Sequence, residues 1–204
     1  MPGPRRTQAE RRAETTDRVL AATIDCLVEQ GYANTSTRHI ARRAGLTVGA
    51  VQHHFPSKAD LMAAALRALG DQMADEFLAD APTQDAPGDR VAQLLDRLWE
   101  VHRGPLFAAG LELWVAARSD AELRVAMEEV TRVFAVRIAD GMLQIFPEQV
   151  AQPGFAETVM IGLAALRGLA IPGFVEVVEP EVLWEIARPQ LLDWFEAALA
   201  GRPA

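Results

Sequence analysis

A chain of 204 residues with 50% apolar side chains allows one or two domains with a buried core, and its formal charge of -8, taken whole, argues against a polyanionic partner. One cysteine, Cys26, excludes an internal disulfide and falls in an apolar helical pattern where packing is the simpler role. No run approaches the roughly 18 apolar residues of a membrane helix, and the opening M-P-G-P-R-R-T-Q-A-E-R-R lacks a signal peptide's hydrophobic stretch, so a cytoplasmic protein without membrane contact is expected.

Helical spacing dominates the chain and no alternating run stands out, so an all-α fold is expected. A first helix, about 8 to 30, carries Leu20, Ile24, Leu27 and Val28 inward and ends at Gly31. Ser36 is a good N-cap for a short helix opening at Thr37, with Ile40, Ala41 and Ala44 on one face. Gly45 gives the positive φ of a tight turn, and Leu46 is an apolar peg behind it. Thr47 caps a second short helix whose inward positions are Ala50 and Val51. That helix stops before Pro56. Ser57, with Asp60 three residues on, opens a long helix over about 58 to 79. The arrangement is a helix-turn-helix running into a third helix.

The stretch G-Y-A-N-T-S-T-R-H-I-A-R-R-A-G-L-T-V-G-A-V-Q-H-H-F-P-S-K-A-D-L, Gly31 to Leu61, resembles the DNA-binding domain of the TetR family of one-component transcriptional regulators. The match includes His54-Phe55 and Ser57-Lys58 and covers the N-terminal quarter; the rest matches in layout. One departure is Gln52, where the family usually carries a tyrosine that touches a phosphate.

Charge supports a two-part molecule independently. Residues 1 to 58 hold nine basic and five acidic side chains, a net of +4, and the remainder holds 11 against 23, or -12. The expected division is a helix-turn-helix DNA-binding domain with a basic arm at 1-57 and a helical effector-binding and dimerisation domain at 58-204. Arg38 is the candidate base reader, because a guanidinium pairs with guanine O6 and N7. Thr37, Thr47, Val48 and Gly49 form the edge that enters the major groove, with methyl groups for thymine and, at Gly49, room for close approach. Ser36, Gln52, His53, His54 and Lys58 are candidate phosphate contacts, which set register. Arg5, Arg6, Arg11 and Arg12 either reach the DNA or form a solvated arm.

After a loop at 80 to 89, helices are expected over 89 to 102, 105 to 118, 120 to 145, 154 to 170 and 180 to 200, with Pro189 kinking or splitting the last. Trp99, His102, Phe107, Leu111, Trp114 and Phe134 recur at helical spacing and are core first; the resemblance implies an effector pocket among these middle helices. Glu112 is either a cation anchor there or a surface carboxylate. Gly162, Leu166, Trp184, Leu191, Trp194 and Phe195 mark the expected homodimer surface: the last helix is more apolar than one internal contact needs, burial within one subunit is the alternative, and the resemblance implies that the two final helices pair across a two-fold axis.

The adjacent His53 and His54 diverge by about 100° on a helix and do not share one ion, so no metal or other cofactor is expected. The resemblance implies a homodimeric repressor that binds a double-stranded DNA operator and is released by a small hydrophobic effector. Within that class, an activator or an effector-independent regulator are the alternatives. From other classes come a protein-docking module and a small helical enzyme; against the enzyme, no G-x-S-x-G, phosphate-loop or G-x-G-x-x-G pattern occurs.

Overall fold

The computed structural model describes residues 7 to 79, 87 to 175 and 177 to 200, and among them every regular element is an α-helix. In chain order these are α1 (Gln8–Asn34), α2 (Thr37–Arg43), α3 (Val48–His54), α4 (Lys58–Ala79), α5 (Pro87–His102), α6 (Pro105–Ala116), α7 (Ala121–Ile145), α8 (Phe155–Phe174) and α9 (Pro180–Leu199). Arg5, Arg6 and most of the expected loop at 80 to 89 lie outside the described residues.

The helix starts follow from local chemistry. Thr7 and Glu10 form a reciprocal capping box, the Glu10 amide donating to Thr7 Oγ1 at 3.2 Å and the Thr7 amide to Glu10 Oε2 at 2.7 Å. Ser36 accepts from the His39 amide, Thr47 from the Ala50 amide, and Ser57 from the Asp60 amide at 3.0 Å. Asp120 caps α7 by accepting from the Leu123 amide at 2.9 Å. Gly31 interrupts α1 with φ 70°, so the regular helix ends one residue earlier and a single turn follows. Gly45 turns α2 into α3 at φ 66°, and the Leu46 amide closes the turn on the Ala41 carbonyl.

The chain forms two compact units, one of residues 1–72 with 109–133, the other of 73–108 with 134–204. The position 57/58 taken from the sequence falls inside the first. Its core joins Val19, Cys26 and Leu27 of α1 to Ile40, Val51, Leu61, Met62, Leu113 and Leu123. The buried stripe of α1 is Val19, Ala22, Thr23, Cys26 and Leu27, turned from the expected one: Val28 lies at the surface. Thr23 is tolerated inside because its hydroxyl donates to the Val19 carbonyl at 2.7 Å.

In the second unit α5, α8 and α9 pack on one another. Trp99 of α5 stacks on Trp184 of α9, ring centroids 5.0 Å apart and planes within 4°. Asp96 holds Arg188 through two 2.6 Å bonds, and Arg103 reaches Glu181. α9 runs unbroken through Pro189 rather than splitting at Arg188; the proline is exposed, so the carbonyl it leaves unbonded meets water. α8 likewise continues through Pro172, four residues past the expected end.

One exclusion needs correcting. α8, with 20 residues, is long and apolar enough by composition to cross a membrane. It also carries Glu157 and Arg167, and its Gly162, Leu166 and Ala170 are buried against protein.

Candidate nucleic-acid interface

α3 presents a bare outer face. Val51 is fully buried and Ala50 half-buried, which turns Thr47, Val48, Gly49, Gln52 and His53 outward. Val48 stands 36% exposed on a seven-residue helix, and a methyl built at Gly49 would meet nothing within 4 Å. Thr37 is half-buried, while Arg38, one residue into α2, is exposed. Ser36 has its hydroxyl in the cap of α2 and is half-buried. His54 is half-buried, its Nδ1 3.2 Å from Thr16 Oγ1 of α1.

Two further cations of this unit, Arg18 and Arg43, are structural. Arg18 donates to the Ala44 carbonyl, closing the C-terminus of α2. Arg43 forks onto Glu29 at 2.6 and 2.7 Å and reaches Asp25 at 3.0 Å. These carboxylates hold its guanidinium above the ordinary arginine range. A basic count alone therefore overstates the charge free for DNA.

Lys58 departs from its expected place at a phosphate. Its ammonium donates to the Tyr32 carbonyl at 2.9 Å and lies over the Tyr32 ring, 4.0 Å from the centroid, and burial lowers its pKa. Tyr32 is a junction the sequence did not announce. Its amide donates to Glu112 Oε2 at 2.7 Å and its hydroxyl to Asp120 Oδ2 at 3.1 Å, while burial and then the Asp120 bond push the phenol up to about 12. Glu112 is an exposed surface carboxylate, as one of its two readings expected, and it caps the amide exposed by the break at Gly31. The only hint in the sequence was the glycine before the tyrosine.

Of the candidate pocket residues, Trp99, His102 and Phe107 come together in the second unit. The His102 ring lies 4.7 Å from that of Phe107, which in turn contacts Phe174. His102 is buried; burial is the first cause that lowers its pKa, and its Nδ1 donates to the Leu98 carbonyl at 2.7 Å. The neutral ring therefore presents Nε2 as an acceptor. Phe134 is a half-buried member of the same unit, whereas Leu111 and Trp114 belong to the first, Trp114 at 37% exposure. Among the described residues no three of His, Cys, Asp and Glu gather as metal ligands.

The six residues expected at a dimer surface are largely occupied within the protomer. Phe195 fills the space over Gly162, Leu166 is buried beside Trp99, Trp184 is stacked, and Leu191 packs in the same core. Trp194 is half-buried, its ring edge 5.0 Å from Phe195 by centroids. The apolar row left open is a different one: Met160, Ile161 and Ile171 on α8, with the exposed small residues Ala164 and Gly168 between them, Val175 just past its end, and Val182 and Ile186 on α9.

A family model for bacterial regulatory proteins of the TetR family matches residues 19–65. An uncharacterised HTH-type transcriptional regulator of Mycobacterium tuberculosis is 34% identical over 173 residues, 80% of this chain and 88% of that protein. The chain belongs to the TetR family of transcriptional regulators. The HTH-type transcriptional regulator CymR of Pseudomonas putida is 31% identical over 168 residues, covering 82% of this chain and 83% of its own length. A transcriptional regulator of Saccharomonospora viridis, crystallised with choline, shares the fold at a TM-score of 0.67 and 20% identity, over 90% of this chain and 96% of its own. As a TetR regulator the chain binds DNA, and the outward face of α3 is the part of its helix-turn-helix that the protein itself leaves unused.

Proposed function

We propose that this protein is a homodimeric, cytoplasmic repressor that binds a double-stranded operator and is released from it by a small hydrophobic molecule, without doing chemistry on that molecule. The observation that carries the DNA side is the exposed set Arg38, Thr47, Val48, Gly49, Gln52 and His53, which stands outward while Ile40, Ala41 and Val51 on the opposite faces of α2 and α3 are buried. With no arginine or lysine on α3 itself, sequence preference rests on Arg38, on methyl contacts and on DNA shape.

The effector side is supported by the aromatic group around Trp99, His102 and Phe107, where apolar rings meet one imidazole acceptor and the half-buried Arg167 acts on that imidazole; small-molecule sites commonly combine an apolar lining with a few polar groups. Choline bound to a regulator of the same fold is in keeping with a ligand in this domain. Dimerisation rests on the open row of α8 and α9: Ile161, Ala164, Gly168 and Ile171 recur at steps of three, four and three, the seam of a helix that meets another helix. α4 runs from Lys58 in the first unit to Ala79 in the second, so an effector that moves α4 changes the spacing of two heads across half-sites fixed by the DNA repeat.

Footprinting on the intergenic DNA beside its own gene, followed by a screen for compounds that release the footprint, tests the proposal. A protected site lost on adding a compound is the expected result. The absence of any protected site overturns it.

A further inference from the structure

His102 ends α5 with 6% of its surface exposed. Its ring stands 4.7 Å by centroids from that of Phe107, at a tilt of 51°. Phe107 lies in turn 6.1 Å from Phe174 and packs on the core of Trp99, Leu166 and Ala170. The Leu98 carbonyl only accepts, so the 2.7 Å bond from Nδ1 places the proton of the neutral ring on that nitrogen. Nε2 is left as a lone-pair acceptor, and no described residue donates to it. An acceptor on a residue this far from water is as a rule hydrogen-bonded, because leaving it unmet forfeits the bond it would make in solvent.

Accepting the effector reading above, we propose that the missing donor belongs to the effector: the molecule taken by the second unit is a neutral phenol, its ring beside Phe107 and Phe174 and its hydroxyl donating to Nε2 of His102. The charge of the ligand follows from the surroundings of the ring. Among the described residues the charged group that acts on His102 is Arg167, which has the sign of an ammonium and so disfavours a cationic donor. A carboxylate has no hydrogen to give and would meet a lone pair. Protonating the imidazole to receive it runs against burial first and Arg167 after it, both of which lower the pKa of the ring. A phenol avoids both costs, since it stays neutral until about pH 10 and still donates. Its ring offers edges and faces to an aromatic lining in a way that an aliphatic alcohol does not.

The test is isothermal titration calorimetry of the full chain at neutral pH with three probes of one shape: para-ethylphenol, para-ethyltoluene and para-ethylbenzoate. In an apolar site without an acceptor a buried hydroxyl is a cost, and the toluene binds more tightly than the phenol. The parent is expected to reverse that order, taking the phenol about tenfold more tightly than the toluene, with the benzoate weakest. His102→Phe keeps an aromatic ring and removes Nε2, so it should restore the order expected without an acceptor. His102→Gln, whose amide oxygen accepts, should keep the preference for the phenol. A parent that binds the toluene or the benzoate as tightly as the phenol, or that binds no phenol, overturns the proposal whether or not the variants fold. A phenol preference that survives in folded His102→Phe overturns it too, by moving the acceptor elsewhere. In either case a compound of another class that releases the operator footprint leaves the effector reading standing, whereas no release by any compound screened overturns that reading as well.

Discussion

The ammonium of Lys58 stands 4.0 Å above the ring of Tyr32 and donates to the same residue's carbonyl, so the first residue of α4 is fastened to the turn that ends α1. The residue that sequence reasoning sent to a phosphate is instead part of the head's framework. Lys58→Ala should therefore cost roughly 1 to 2 kcal/mol of stability, from a charge-assisted hydrogen bond and a cation–π contact at a half-buried site. Urea unfolding of the variant against the parent measures this. A variant of parental stability with uniformly weaker DNA binding would return Lys58 to the phosphates.

Tyr32 is the chain's single tyrosine, so its ionisation is read without interference from the absorbance of tyrosinate. In the folded protein the midpoint should lie at about 12, against 10.0 for the unperturbed phenol. Because the folded value is the higher one, the stability linked to this group is whole below pH 10 and is lost as pH climbs toward 12. Tyr32→Phe should flatten the fall in unfolding midpoint over that window. A folded-state midpoint near 10 would show that the hydroxyl is not held against Asp120.

Glycines 49 and 162 should behave oppositely when given a methyl group. At Gly49 a side chain meets open space, and alanine is the better helix former by up to about 1 kcal/mol, so Gly49→Ala should leave the melting temperature unchanged or raised. Operator affinity should nevertheless drop if the space at Gly49 is where DNA comes close, as proposed above. At Gly162 the new methyl runs into the Phe195 ring, and Gly162→Ala should destabilise by about 1 to 3 kcal/mol through overpacking. Calorimetry on the two variants, with a binding assay on the first, decides both.

Arg38→Ala should cost roughly 1 to 3 kcal/mol on the specific operator and relax preference at one base pair in each half-site. Selection of binding sites from a randomised duplex library reads this directly. An unchanged preference would remove Arg38 from base reading.

For assembly the informative position is Ile161, 58% exposed in the protomer, together with Ile186 at 59%. Ile161→Glu should leave the protomer folded while giving monomers by light scattering, since the charge would be buried and unpaired only in the dimer. Leu191→Glu, by contrast, should unfold the second unit, because Leu191 packs in its core. A dimeric Ile161→Glu protein would place the interface elsewhere.

What the sequence determined by itself was local. Ser36, Gly45, Thr47 and Ser57 mark caps and a turn through hydrogen bonds and backbone angles spanning three or four residues, so the helix-turn-helix and its outward edge were legible before any coordinates. The helical periodicity of the body was legible for the same reason. Which face of each helix is covered was not, because burial depends on neighbours distant in the chain. Spacing placed Val28 inward on α1, yet it lies at the surface; Trp184 and Leu191, expected at a dimer surface, pack within the protomer against clusters that include Trp99 and Leu166. Lys58 shows the same limit: a cation read from its motif was free for DNA, and only folding brought it over an aromatic ring 26 residues away. Glu112 and Tyr32, 80 positions apart, form a bond that no local pattern encodes, since neither residue has a partner until α6 and the end of α1 meet.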